Sequence, residues 1–160
     1  MYLREDLKID VMSLSTRIMD EIKDAMRAKD TVALESLRAV KSAILLAQTE
    51  TGSKEAISEE EEIKILQRLV KQRKDSAAIY IAQSRPDLAE PEMAQALVIE
   101  KFLPEQLSET EIETIVSQII AAEGVSGMGS MGKIMGLAGS ALAGKADGKT
   151  ISTIVKKLLS

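Results

Sequence analysis

Histidine and cysteine are both missing from this sequence, and tryptophan with them. Without Cys there are no disulfides, no thiolate nucleophile and no thiolate metal site. Without His the usual general base near neutral pH and the commonest metal ligand are gone. No Ser-His-Asp or Cys-His constellation can form, nor an ordinary zinc site. An enzyme built from this chain would rely on carboxylates, Lys, Tyr or Ser alone, which makes an independent catalyst the minority reading; no metal and no cofactor is expected. One Phe and two Tyr are the only aromatic residues, so the core has to come from Leu, Ile, Val, Met and Ala, the residues of helix packing. No apolar run approaches the roughly 18 residues that span a bilayer. No basic-then-apolar leader stands out, so no membrane association is expected and the expected compartment is the cytoplasm.

What is present points to helices. Of the 160 residues 45% are hydrophobic and 29% charged, enough for a core and a solvated surface. Residues 1–11 are a polar stretch, and Met12-Ser13-Leu14 reads like a natural start. Leu14, Ile18, Ile22 and Met26 then recur every four residues, predicting a first helix. Asp30 or Thr31 caps a second, whose apolar face is Leu34, Leu37, Ile44 and Leu45, and Gly52-Ser53 breaks it. Ser58 with Glu61 opens a third helix running to about Gln83. Ser84-Arg85-Pro86-Asp87 reads as a turn. The fourth helix is expected to hold Pro91 in its first turn, to carry Leu97, Val98 and Phe102, and to stop before Pro104. Ser108 and Glu111 repeat the capping pattern ahead of Ile112, Ile115, Val116, Ile119 and Ile120. Two more helices are expected, one with Met128, Met131, Met135 and Leu142 along one side, one with Ile151, Ile154, Val155, Leu158 and Leu159. Asp147 caps the last, and Lys156 and Lys157 suit its negative C-terminal end.

Charge and glycine change together near residue 124. From Gly124 onward five lysines face Asp147 alone, a net of +4, whereas the preceding 123 residues hold 16 basic and 24 acidic residues, a net of −8. Eight of the nine glycines lie in the same final stretch. Two such shifts at one position suggest a distinct module.

Three stretches carry possible chemistry. Lys64, Arg68 and Lys71 share one helical stripe with Gln72, Arg73 and Lys74 beside it, and cations one turn apart can track phosphates. The same helix also reads as acids at its start and cations later, matching its dipole, and its composition favours that reading. In Gly129-Ser130-Met131-Gly132-Lys133-Ile134-Met135-Gly136, each interior glycine weakens the helix by about 1 kcal/mol relative to Ala. Such a sequence gains close approach of another backbone, from a packed helix or from a partner's phosphate or ribose; helix packing is the more general use of small residues at 132, 136 and 140. Gly144-Lys145-Ala146-Asp147-Gly148-Lys149 places two lysines on a short turn, where they can reach a nucleic-acid backbone or serve turn and cap alone. Met128, Met131 and Met135 read as core, and Glu90 and Glu92 as a solvated helix start. No phosphate-binding loop of the Gly-x-x-x-x-Gly-Lys type is present.

Three motifs, in this order and spacing, resemble the YqeY family: Lys71-Gln72-Arg73-Lys74-Asp75-Ser76, Phe102-Leu103-Pro104-Glu105-Gln106-Leu107-Ser108, and Met131-Gly132-Lys133-Ile134-Met135-Gly136 with Gly144-Lys145-Ala146-Asp147-Gly148-Lys149. The resemblance runs from about Met12 to Leu159. It implies an all-α, multihelical fold with a larger N-terminal helical domain (residues 12–103) and a small three-helix C-terminal domain (residues 104–160). That family is related to the tail domain of GatB, the tRNA-binding subunit of the aspartyl/glutamyl-tRNA amidotransferase. The label amidotransferase-like, or carbon–nitrogen ligase with glutamine as amido donor, comes from this kinship alone, and no nucleotide or glutamine site is recognisable here. The chain departs from the family pattern at Ser130, where Asp is usual, at Ser140, a common proline, and at Ala141 and Ala143, where lysines are frequent.

The function expected from residues and resemblance together is a non-catalytic protein associated with tRNA or a tRNA-handling complex. The candidate nucleic-acid contacts are Lys133, Lys145, Lys149, Lys71, Arg73 and Lys74. Close packing or backbone approach is expected at Gly132, Gly136, Gly144 and Gly148. The alternative is a helical protein–protein interaction module with no nucleic-acid role.

Overall fold

The computed structural model describes residues 13–52 and 57–160. The polar stretch at 1–11, Met12 and Ser53 therefore lie outside the described residues. Within them the chain forms seven α-helices, one short 3₁₀ turn and no strand. The helices are α1 (Leu14–Ala28), α2 (Thr31–Glu50), α3 (Glu59–Ala82), α4 (Pro86–Glu100), α5 (Glu109–Glu123), α6 (Met131–Ala141, preceded by the 3₁₀ turn Met128–Ser130) and α7 (Gly148–Leu159). No helix among the described residues is long and apolar enough to cross a membrane.

Five helices start on a side-chain oxygen that accepts a backbone N–H three residues on: Ser13, Asp30, Ser58, Ser108 and Asp147. Each such cap satisfies one of the donors that a helix start leaves free, for about 1 kcal/mol. The first and third helices end with a residue in the left-handed region, Lys29 at φ 54° and Ser84 at φ 58°. There the N–H groups of Asp30 and Arg85 reach back to the carbonyls of Ala25 and Tyr80, which closes the helix ends as Schellman turns.

The helices up to Phe102 make one compact unit and residues Leu103–Ser160 a second. In the first, α3 and α4 form an antiparallel hairpin with the most extensive contact, and α2 packs against α1, α3 and α4. Leu14, Ile18, Val40, Leu66 and Ile99 are buried in its core. Arg17 lies over the Phe102 ring at 5.3 Å from its centroid, a cation–π contact. In the second unit α5, α6 and α7 pack pairwise around Ile112, Val116, Ile134, Leu142, Ile154 and Val155.

Several sequence expectations are corrected. Met26 is 55% exposed and Ala25 is buried in its stead: a strict four-residue ladder drifts by about 40° per step around a helix of 3.6 residues per turn. Leu45 and Leu97 are 52% and 60% exposed, while Val40 and Ala96 carry the buried faces of their helices. Phe102 is buried but lies beyond α4, and Met128 is an exposed residue of the 3₁₀ turn. Pro86 is no turn residue; it is the first residue of α4. Pro91 consequently sits in the helix interior, where it removes the bond to the Asp87 carbonyl. Asp87 and Pro91 are both exposed, so the lost bond falls on the solvent side of α4, while Ala89, Ala96 and Ile99 hold the helix to the core.

Candidate nucleic-acid interface

The three candidate cations of α3 are each engaged. Lys71 pairs with Asp75 at 3.1 Å, and Lys74 reaches Glu100 of α4. Arg73 is half-buried; its Nε donates to Gln95 Oε1 at 3.0 Å and an NH group donates to the Leu69 carbonyl at 3.1 Å. Gln95 in turn donates to Glu35 of α2 at 3.3 Å. Arg73 is thus a tie between three helices. Lys64 pairs with Glu60 at 3.3 Å, as the dipole-matching reading of this helix anticipates.

The second unit presents its lysines differently. Lys145 and Lys149 are exposed, with no side-chain hydrogen bond or ion pair among the described residues. Lys133 on α6 pairs with Glu123 at 2.8 Å, and Lys157 on α7 with Glu113 at 2.8 Å. The Lys157 ammonium is held charged above its ordinary range, first by the hydrogen bond it donates to Glu113 and then by the charges of Glu113 and Glu109. Lys149 and Lys157 line a surface groove of about 230 Å³ with Glu109, Glu113, Thr150, Thr153 and Ile154. Helix-dipole reasoning alone leaves Lys157 out of this cluster, although a signal for it exists: Lys149, Thr153 and Lys157 are four apart on α7.

The turn that carries Lys145 is held on both sides. Gly144 has φ 77°, which favours glycine, and is buried. Its carbonyl accepts from Gln106 Nε2 at 2.7 Å, and the Lys145 carbonyl accepts from the Leu107 N–H at 2.9 Å. The Pro104–Ser108 motif and the Gly144–Lys149 motif therefore meet in space.

The α6 glycines behave otherwise than internal packing requires. A Cβ built on Gly132 or Gly136 meets nothing within 4 Å among the described residues, and the same holds for Gly148. No helix of this chain uses those positions for close approach among the described residues, and Gly132, Gly136 and Ser140 form an open face. The core side of α6 is Ile134, Ala138 and, just past its end, Leu142, with Met131 and Met135 beside them.

Counted over the compact unit, the charge asymmetry disappears. Residues 103–160 hold five lysines against Glu105, Glu109, Glu111, Glu113, Glu123 and Asp147, a net of −1. The change at Gly124 falls at the C-cap of α5, so the fold sets an acidic helix against two basic ones. A second groove, of about 260 Å³ in the first unit, is rimmed by Glu21, Asp24 and Asp30 with Lys101; its acidic rim repels phosphate.

The chain is similar in sequence to several known proteins. Over 71 residues the chain is 41% identical to the E subunit of glutamyl-tRNA(Gln) amidotransferase from Thermococcus gammatolerans, covering 42% of this chain and 11% of that longer protein. It is 29% identical over 164 residues to the corresponding protein of Thermococcus sibiricus, covering 98% of this chain and 25% of that one. It is also 29% identical over 147 residues to altered inheritance of mitochondria protein 41, mitochondrial, of Pyrenophora tritici-repentis, covering 89% of this chain and 79% of that protein. The chain thus spans a quarter or less of these amidotransferase proteins and about four-fifths of the fungal one. The sequence model described as Yqey-like protein matches residues 15–159, through both units, and the chain belongs to the YqeY-like family.

Proposed function

We propose that this chain is a non-catalytic, tRNA-associated helical protein, and that residues 104–160 are a separate domain that meets RNA through Lys133, Lys145 and Lys149. The observation that carries this reading is the similarity of nearly the whole chain to one quarter of a much longer glutamyl-tRNA(Gln) amidotransferase protein. What the two proteins share is then more naturally a binding or scaffolding part than a complete reaction. Lys145 and Lys149, exposed and without a side-chain partner among the described residues, support the same reading, because unpaired cations meet phosphate without first losing a partner. The amidotransferase name belongs to the longer protein, and turnover of ATP and glutamine by the purified chain alone would contradict our reading.

Filter binding of bulk tRNA at rising salt tests it. Lys133, Lys145 and Lys149 replaced together by Ala are expected to weaken binding about tenfold or more at low salt. The log–log salt slope should fall by about two to three, at 0.7–0.9 per phosphate contact. Equal, salt-insensitive binding by wild type and variant would refute it.

A second reading, a protein-interaction module, is favoured by one observation. The open face of Gly132, Gly136 and Ser140 lies on the same helix as Leu137, which is 39% exposed. A partner retained in pull-downs after nuclease treatment would support it, and RNA-dependent partners alone would speak against it. The cytoplasm stays the proposed compartment; the fungal relative is named mitochondrial, and cell fractionation decides between the two.

A further inference from the structure

Both ion pairs of the second unit have the same architecture: a lysine from a basic helix and a carboxylate from α5. Lys157 of α7 meets Glu113, and Lys133 of α6 meets Glu123, each at 2.8 Å. In both pairs the carboxylate is the more buried partner, 36% exposed against 70% for Lys157 and 33% against 56% for Lys133. The lysine heads are therefore the members that solvent and ligands reach more easily. Ten residues separate the two glutamates, about 15 Å along a helix. Each carboxylate offers its lysine the charge and the acceptor oxygens that a phosphate would offer. Exposed pairs of this kind hold their cation by no more than about a fivefold equilibrium preference, so they exchange readily.

We propose that α5 is a built-in competitor for polyanions: Glu113 and Glu123 occupy Lys157 and Lys133 in the free protein and yield them to phosphates when a polyanion docks. This rests on the RNA reading above for the identity of the polyanion, not for the competition itself. Lys145 and Lys149 make the first contacts, because nothing among the described residues holds them, and Lys133 and Lys157 join once a ligand displaces the carboxylates. The device makes weak or isolated phosphates poor ligands and favours a partner that presents several phosphates together. It also adds Lys157 to the contacting set.

The test compares two charge-matched variants of the full chain. One carries Glu113→Gln with Glu123→Gln, and the other Glu105→Gln with Glu111→Gln. Glu105 and Glu111 are exposed and belong to the same unit, and neither forms an ion pair among the described residues. Both variants add the same net charge, and thermal melting confirms that both fold. Two probes are used, retention on immobilised heparin and filter binding of bulk tRNA. The first variant is expected to elute from heparin at clearly higher salt than the second. It should bind tRNA about three- to tenfold more tightly than wild type, from two released pairs, with a salt slope near that of wild type, because the same lysines meet phosphate in both complexes. The second variant should shift by less than about twofold, as distant exposed charges are screened. Equal shifts in the two variants, or none on heparin, overturn the competitor. Selective retention on heparin with no tRNA binding by any protein keeps the competitor and discards the RNA reading. Tight tRNA binding with equal shifts does the reverse.

Discussion

The two units use their cations in opposite ways. In the first, every candidate cation of the Lys71–Lys74 cluster has a partner: Arg73 ties α3 to α4 through a part-buried bond, while Lys74 with Glu100 and Lys71 with Asp75 form half-exposed pairs. In the second, Lys145 and Lys149 face solvent unpaired among the described residues, and Lys133 and Lys157 hold only partly exposed partners from α5. A run of basic residues is thus no measure of available charge. What counts is whether each cation has a partner that the fold cannot spare. Arg73 has one, since its release would leave the part-buried Gln95 Oε1 without its donor; the lysines of the second unit do not.

The sharpest way to break this contrast is to damage each core in turn. Leu66→Ala in the first unit and Leu142→Ala in the second should each cost about 2–5 kcal/mol in urea unfolding, because both side chains are fully buried. Only Leu142→Ala should weaken polyanion binding near its lowered melting point. Arg73→Ala comes next, with an expected loss of about 1.5–3 kcal/mol for a charged, part-buried hydrogen-bonding group. Its tRNA affinity should stay within twofold, whereas a contact residue would show the opposite pattern. Gly144→Ala forces a side chain into φ 77° and should cost about 1–2 kcal/mol, with a loss of affinity because the turn positions Lys145. Ser108→Ala should cost about 1 kcal/mol by removing the cap of α5.

The smallest effect concerns Glu62. Its carboxyl is held above the ordinary range by partial burial and then by the nearby Glu59 charge. A raised acid binds its proton more tightly in the folded state, so it contributes stability at low pH and loses it as pH rises through the carboxylate range. Glu62→Gln should therefore raise the melting temperature slightly at pH 7 and leave it unchanged near pH 3.

Much of the fold is legible in the sequence, because capping and periodicity are local. Asp30, Ser58, Ser108 and Asp147 act as the caps their positions suggest, and the stripe Ile151, Ile154, Val155 and Leu159 is buried as spaced. Where a strict ladder is extrapolated, at Met26, helical drift carries the residue to the surface, and at α4 the buried face falls on Ala96 instead of Leu97. Pro91 misleads because Pro86, shortly after a left-handed Ser84, already starts α4. The candidate interface is less legible. Nothing local in the sequence says that Arg73 meets Gln95, 22 positions away, or that Lys157 meets Glu113, 44 away. The charge step at Gly124 is real in the chain and vanishes over the compact unit, since α5 brings its glutamates back beside the lysines.

The most direct test of the contrast is the salt dependence of tRNA binding by two variants measured side by side, Lys71→Ala with Lys74→Ala and Lys145→Ala with Lys149→Ala. We expect the first to keep wild-type affinity within about twofold and an unchanged slope, and the second to lose about 1.4–1.8 from the slope, two phosphate contacts' worth. The reverse pattern, with the α3 pair carrying the salt dependence, would contradict the account.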